Sequence, residues 1–130
     1  MKPWWVGYLS VLIIVLTITA GGLTIQHYLE KTAKEMGAQL EEVKRSVEAE
    51  NWVASNNDLS KFKKRWDRTR RNWELLIEHV EIDNIETKVN RSEEMIKNQD
   101  KTNALAELRE AIMLIEHIPE RERLTWRNLL

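Results

Sequence analysis

The sequence of 130 residues has no cysteine, only two prolines and four glycines, and a net charge of −1. Without cysteine there is no disulfide, no thiolate metal ligand and no thiol nucleophile. Sheet turns draw heavily on Gly and Pro. Their scarcity, beside 32% charged residues, points to long helices. Twenty basic side chains against 21 acidic ones leave no bulk charge for holding a polyanion. A Gly-rich phosphate loop, a nucleophile elbow and a paired-carboxylate frame are also missing, and the many carboxylates are dispersed. The expectation is a protein that is not an enzyme and uses no cofactor, in one domain too short for a large catalytic architecture.

A further absence is local. From Pro3 to Gln26 there is no side chain charged at neutral pH, and Trp4 to Ile25 is an uncharged run of 22 residues. At ~1.5 Å of rise per residue, a helix of that length crosses a hydrocarbon core of ~30 Å with its backbone bonds satisfied internally. Trp4, Trp5 and Tyr8 sit at one end, where aromatic rings favour the membrane interface. The competing reading as a buried core helix fails on size, because the remaining 105 residues are too few to enclose it. A cleaved signal peptide is the other alternative, with Lys2 as a minimal basic region and Ala20-Gly21-Gly22 as small residues before a cut. The run continues through Leu23 and Ile25 into helix-patterned sequence, which favours an uncleaved anchor over residues 1–25 and a domain over residues 26–130. Orientation is balanced. Lys31, Lys34, Lys44 and Arg45 after the run favour a cytoplasmic domain by the positive-inside rule, whereas a short N-terminal span after a Lys reads as a signal anchor that exports the domain beyond it. The extracytoplasmic side is the expectation.

Beyond the anchor the apolar residues keep helical spacing. Leu29, Ala33, Met36, Leu40, Val43 and Val47 form a coiled-coil-like heptad seam that continues the apolar run, with Gly37 as its weak point. "AENW" at Ala49–Trp52 breaks it. A second helix carries Leu59, Phe62, Trp66, Thr69, Trp73, Leu76 and Val80, with Asn57 or Asp58 as its cap unless it starts earlier, near Trp52. A third runs from about Ile82 to Asn98 through Ile85, Val89, Ser92 and Ile96. Thr102 then caps a fourth, with Leu105, Leu108, Ile112, Ile115 and Ile118 on one side, and Pro119 stops it. Leu124, Trp126, Leu129 and Leu130 are expected to fold back on the domain. The fold class is therefore all-α: an N-terminal transmembrane helix followed by an antiparallel bundle of three to four helices. Trp66 and Trp73 are expected to face Ile85 and Val89 of the third helix and Leu108, Ile112 and Ile115 of the fourth.

Two motifs carry candidate chemistry. "LIEH" occurs at Leu76–His79 and again at Leu114–His117. Adjacent Glu and His point apart on a helix, so neither pair chelates a metal locally. The pattern reads instead as two helix C-termini, each with an imidazole near the orphan carbonyls. A shared polar pocket or metal site of His79 and His117, with Asp83 or Glu116 as a third ligand, is the sharper alternative, that of a sensor or ligand-binding bundle. The second motif, "KFKKRWDRTRR", holds Lys61, Lys63, Lys64, Arg65, Arg68, Arg70 and Arg71 with Phe62 and Trp66 interleaved. Basic and aromatic residues together are what a nucleic-acid surface needs. Phe62 and Trp66 fall on the apolar seam, however, which leaves a solvated basic face paired with Glu74, Glu78, Glu81, Asp83 and Glu86, or touching anionic lipid or an acidic partner.

The segments "NWELLIEHVEIDNIE" (72–86), "KTNALAELREAIMLIEHIPERERL" (101–124) and "ENW" (50–52), with the N-terminal apolar run, resemble the bacterial family catalogued as domain of unknown function 4363. The resemblance covers nearly the whole chain. It implies a single-pass membrane protein of Gram-positive-type bacteria with an all-helical domain, and it supplies no catalytic residues. Its partner is expected to be a membrane protein or a second copy of the chain.

Overall fold

The computed structural model describes residues 3–129 and contains four helices: α1 (Trp5–Glu48), α2 (Trp52–Trp73), α3 (His79–Lys97) and α4 (Lys101–Leu129). Each helix lies against its chain neighbour, and α1 also packs along α4, which closes an up-down-up-down bundle. Lys2 and Leu130, to which the sequence assigned parts in the basic N-terminal region and the apolar tail, lie outside the described residues.

The apolar run and the heptad seam form one continuous helix of 44 residues. Its first half is exposed along its length, and it is long and apolar enough to cross a membrane. In its second half all six seam residues from Leu29 to Val47 are buried. Gly37 is buried with them, and a Cβ built there would lie 3.1 Å from Oε1 of Glu116, so the side chain of Glu116 on α4 covers the weak point of the seam.

The two hairpins, α1–α2 and α3–α4, share one turn. After Glu48, Glu50 takes φ 54°, its N–H donates to Val47 O, and the Asn51 N–H donates to Ser46 O. After Lys97, Gln99 takes φ 55°, its N–H donates to Ile96 O, and the Asp100 N–H donates to Met95 O. This is the Schellman arrangement, which meets the orphan carbonyls of a helix end with a left-handed residue. The next residue caps the following helix in both cases: Asn51 Oδ1 accepts from the Ala54 N–H at 3.1 Å, and Asp100 Oδ1 from the Asn103 N–H at 3.2 Å. The caps are therefore Asn51 and Asp100 in place of Asn57, Asp58 and Thr102, because the turn hands each helix its cap at the first residue after the left-handed position.

Three further boundaries differ from the sequence reading. Helix α2 ends at Trp73, and the chain leaves helical geometry at Glu78, whose ψ of 138° is extended. Val80 therefore belongs to α3 and is exposed, while Ile77 from the connection is buried in its place. Helix α3 accordingly starts at His79, earlier than expected. Pro119 does not stop α4, which runs on to Leu129. Pro119 has no N–H for the Ile115 carbonyl, but its own carbonyl accepts a 2.8 Å hydrogen bond from Gln26 Nε2 and Arg123, one helical turn later, pairs with Glu30, so contacts with α1 hold the helix that continues beyond it. The tail does not fold back onto the bundle. Leu124 and Leu129 are exposed, and Trp126 is half-buried beside α1.

The core joins the α1 seam to Leu59, Phe62, Trp66 and Trp73 of α2, Ile82, Ile85, Val89 and Ile96 of α3, and Ala104, Leu108, Ala111, Ile112, Ile115 and Ile118 of α4. All the partners expected for the two tryptophans lie in this one cluster. At ~25 cal/mol per Å² of apolar surface removed from water, such a cluster is the main source of stability.

Candidate functional site

The basic residues of α2 divide into two sets. One set holds the bundle together. Lys63 pairs with Glu93 of α3, Arg65 with Glu35 of α1, and Arg70 with Glu86 of α3 at 3.2 Å and with Asp67 and Glu74 at longer range. The bond from Lys63 holds the Glu93 carboxyl below the ordinary carboxylate range against the opposing effect of burial, with a smaller contribution from Lys97. Arg71 pairs with Asp67 on its own helix at 3.0 Å. The other set is free: among the described residues Lys61, Lys64 and Arg68 form no ion pair. Their spacing of three and four puts them on one exposed stripe of α2.

The aromatic residues between them face inward. Phe62 is fully buried and lies nearly parallel to Trp66, ring centres 6.2 Å apart, while Trp66 meets Trp73 edge-on at 5.5 Å. Nε1 of Trp66 is turned to Glu86, and Nε1 of Trp73 to Thr32. No aromatic ring of this stretch is presented for stacking on a base.

Height decides what the stripe can reach. Arg65 pairs with Glu35, ten residues past Ile25 on a continuous helix, which is ~15 Å beyond the end of the apolar run. Lys61 and Lys64 stand farther out still. Charges in physiological salt are screened over ~8 Å, so of the seven basic residues only those near Arg71 come within reach of a surface at the end of that run.

The histidines are not where the sequence placed them. His79 opens α3 and His117 lies mid-way along α4, so neither ends a helix, and the reading of "LIEH" as a C-terminal device is wrong for both copies. The Leu-Ile-Glu-His letters fall once on a connection and once within a helix, and share no structure. His79, His117, Asp83 and Glu116 are all exposed. Among the described residues no three His, Asp or Glu side chains are grouped to hold a metal ion.

A second basic cluster lies where sequence reading stopped the chain's last helix. Beyond Pro119, α4 carries Arg121, Arg123 and Arg127 down beside the end of the apolar run. Arg121 pairs with Glu81 and Arg123 with Glu30, and Arg127 has no ion pair among the described residues. The Glu30 carboxyl lies below its ordinary range, first through its bond from Gln26 and then through Arg123. Between the two helices is an open groove of about 470 Å³, lined by Ile18, Thr19, Gly22, Leu23, Gln26, Arg123, Trp126 and Arg127. Its walls are mostly apolar and its rim is basic. The sequence signal for it, Arg-Glu-Arg-Leu-Thr-Trp-Arg, was present but was hidden by taking Pro119 as a stop.

A family model described as Domain of unknown function (DUF4363) matches residues 23–129. The chain belongs to this family. The DUF4363 match takes in the whole bundle, including α4 beyond Pro119, and begins in the last turn of the apolar run. No curated protein and no solved structure matches the chain.

Proposed function

We propose that the chain is a non-enzymatic, membrane-anchored interaction module of a bacterial cell membrane. Residues 1–25 are its uncleaved anchor, and the bundle holds the Lys61, Lys64 and Arg68 stripe out from the bilayer for an acidic protein surface, that of a membrane protein or a second copy of this chain. The observation that carries this reading is the division of basic residues on α2. Four are committed to ion pairs, and three are left on one exposed face, of which Lys61 and Lys64 stand more than ~15 Å beyond the end of the apolar run, outside the reach of lipid charge. Burial of Phe62 and Trp66 removes the stacking platform that a nucleic-acid surface needs. The bundle stands on the extracytoplasmic side in this reading.

A photo-crosslinking residue at Ser60, beside the stripe, tests it in native membranes. One dominant adduct is expected, lost on Lys61→Glu/Lys64→Glu/Arg68→Glu with the melting temperature of the bundle unchanged. An adduct at twice the chain mass identifies the partner as a second copy. No adduct, or one indifferent to charge reversal, overturns the proposal. A topology reporter after Leu130 tests the side of the membrane separately.

A further inference from the structure

The groove between α1 and the end of α4 sits at the point where the apolar run ends, and its chemistry is divided along its length. Ile18, Gly22 and Leu23 supply an apolar wall on α1, and Trp126 faces them from α4. Arg123 and Arg127 stand at its rim. A Cβ built on Gly21 or Gly22 would meet nothing within 4 Å, so the protein itself does not fill this space.

The register of the two helices sets the depth. They run antiparallel, and the groove brings Arg123 beside Gln26 and Arg127 with Trp126 beside Gly22 and Leu23. The backbone of Arg127 is thus about three residues, or ~5 Å, inside the end of the uncharged run. Helical side chains lean toward their own N-terminus, which for α4 points away from the apolar run. Arg123 shows this lean, for it reaches Glu30, a full turn past Gln26. Arg127 leaning the same way brings its guanidinium to the level where a bilayer carries its phosphates. Trp126 lies at the depth where indoles favour the interface.

We infer that this groove is a binding site for one anionic phospholipid, its phosphate held by Arg127 and Arg123 and an acyl chain lying along Ile18, Gly22 and Leu23 under Trp126. The inference rests on the anchored reading above. Lipid is the occupant because the apolar wall is continuous with the exposed surface of a segment able to cross a membrane, and because a guanidinium with no acid partner among the described residues is complementary to a phosphate. Arg127 supplies the free charge, since Arg123 is shared with Glu30.

The full chain, reconstituted in bilayers of equal phosphatidylglycerol and phosphatidylcholine and released into the gas phase, is read by native mass spectrometry for retained lipid. One phosphatidylglycerol per chain is expected, favoured at least fivefold over phosphatidylcholine. Arg123→Gln/Arg127→Gln should abolish the preference. Gly22→Leu, which fills open space, should abolish retention with no loss of helicity, so a folding defect in the first variant leaves the test intact. Lys61→Gln/Lys64→Gln/Arg68→Gln should retain lipid as the parent does. Inorganic phosphate at millimolar concentration should not displace the lipid, whereas displacement would mark a phosphate site that uses no acyl chain and overturn the assignment. Equal retention of both lipids, or unchanged retention in both groove variants, also overturns it. If the chain fails to float with vesicles of either lipid, the anchored reading has failed. If it floats without preference, only the groove assignment has failed.

Discussion

Nε1 of Trp73 donates a 2.9 Å hydrogen bond to Oγ1 of Thr32, joining the last residue of α2 to the first turns of α1 beyond the apolar run. The indole is fully buried, and Trp66 stacks edge-on against it. A large side chain at this junction both fills the core and fixes how α2 meets α1.

Trp73→Ala should therefore unfold or severely destabilise the bundle, since truncating a buried Trp costs ~3–5 kcal/mol of a total of ~5–15. Thr32→Val keeps the volume and strands the indole N–H, for a loss of about 1–3 kcal/mol. Arg71→Ala should shift stability by less than ~0.5 kcal/mol. Arg70→Ala should cost more than Arg71→Ala, because Arg70 is half-buried and bonded to Glu86 across the α2–α3 seam. Denaturant melts of the four variants check the order. A Trp73→Ala protein that melts like the parent would remove the structural account of the aromatic stripe.

The two left-handed residues give a paired prediction. Glu50 and Gln99 both bear the strain of a positive φ that glycine adopts freely. Glu50→Gly and Gln99→Gly should each stabilise by roughly 0.5–1 kcal/mol, and additively, as the turns belong to different hairpins. A thermal melt in which either substitution destabilises would show that the Glu or Gln side chain contributes more than its backbone costs.

Two carboxylates should respond to pH with opposite sign. Glu122, desolvated and facing Glu78 and Glu81, is held above the ordinary carboxylate range. Its ionised form costs the folded state above that raised value, and the cost vanishes below the unfolded pKa of ~4.3. Glu122→Gln should raise the melting temperature at pH 7 and change little at pH 4. Glu93, bonded by Lys63, lies below the ordinary range, so its contribution is present above ~4.3 and is lost as pH falls through its folded value. Glu93→Gln should lower the melting temperature at pH 7, within the ~1 kcal/mol typical of such pairs, and the difference should close in acid. Melts of both variants at pH 7 and pH 4, and of Glu93→Gln also at a pH well below 4, decide it, and like-signed shifts at pH 7 would contradict the assignment.

The features that were legible in the sequence, and those that were hidden, have a physical pattern. The α1 seam and the Leu59-to-Trp73 stripe were legible because each keeps helical spacing on one face, apolar throughout in the first and broken only by Thr69 in the second, and burial follows the face. The end of α2 was not, because Leu76 and Val80 keep the helical spacing across a connection that is not helical, and only the extended backbone of Glu78 marks the break. Cap identity failed for a different reason: a Schellman turn built on Glu and Gln carries no glycine to announce it. Pro119 failed because a tertiary bond from Gln26 and the Arg123–Glu30 pair hold α4 helical past a residue that by itself ends helices. That last miss hid the groove, whose two walls are more than ninety residues apart in sequence.

The most direct test of an anchored bundle uses the absence of native cysteine. Single cysteines at Leu12, Thr125 and Val53 can each carry a nitroxide in the full chain reconstituted in bilayers, with collision rates to oxygen and to a water-soluble nickel complex reporting depth. The account predicts Leu12 within the hydrocarbon, Thr125 at headgroup level, and Val53 fully in water at the far tip of the first hairpin. A water-accessible Leu12, or a Thr125 as accessible to nickel as Val53, would contradict it.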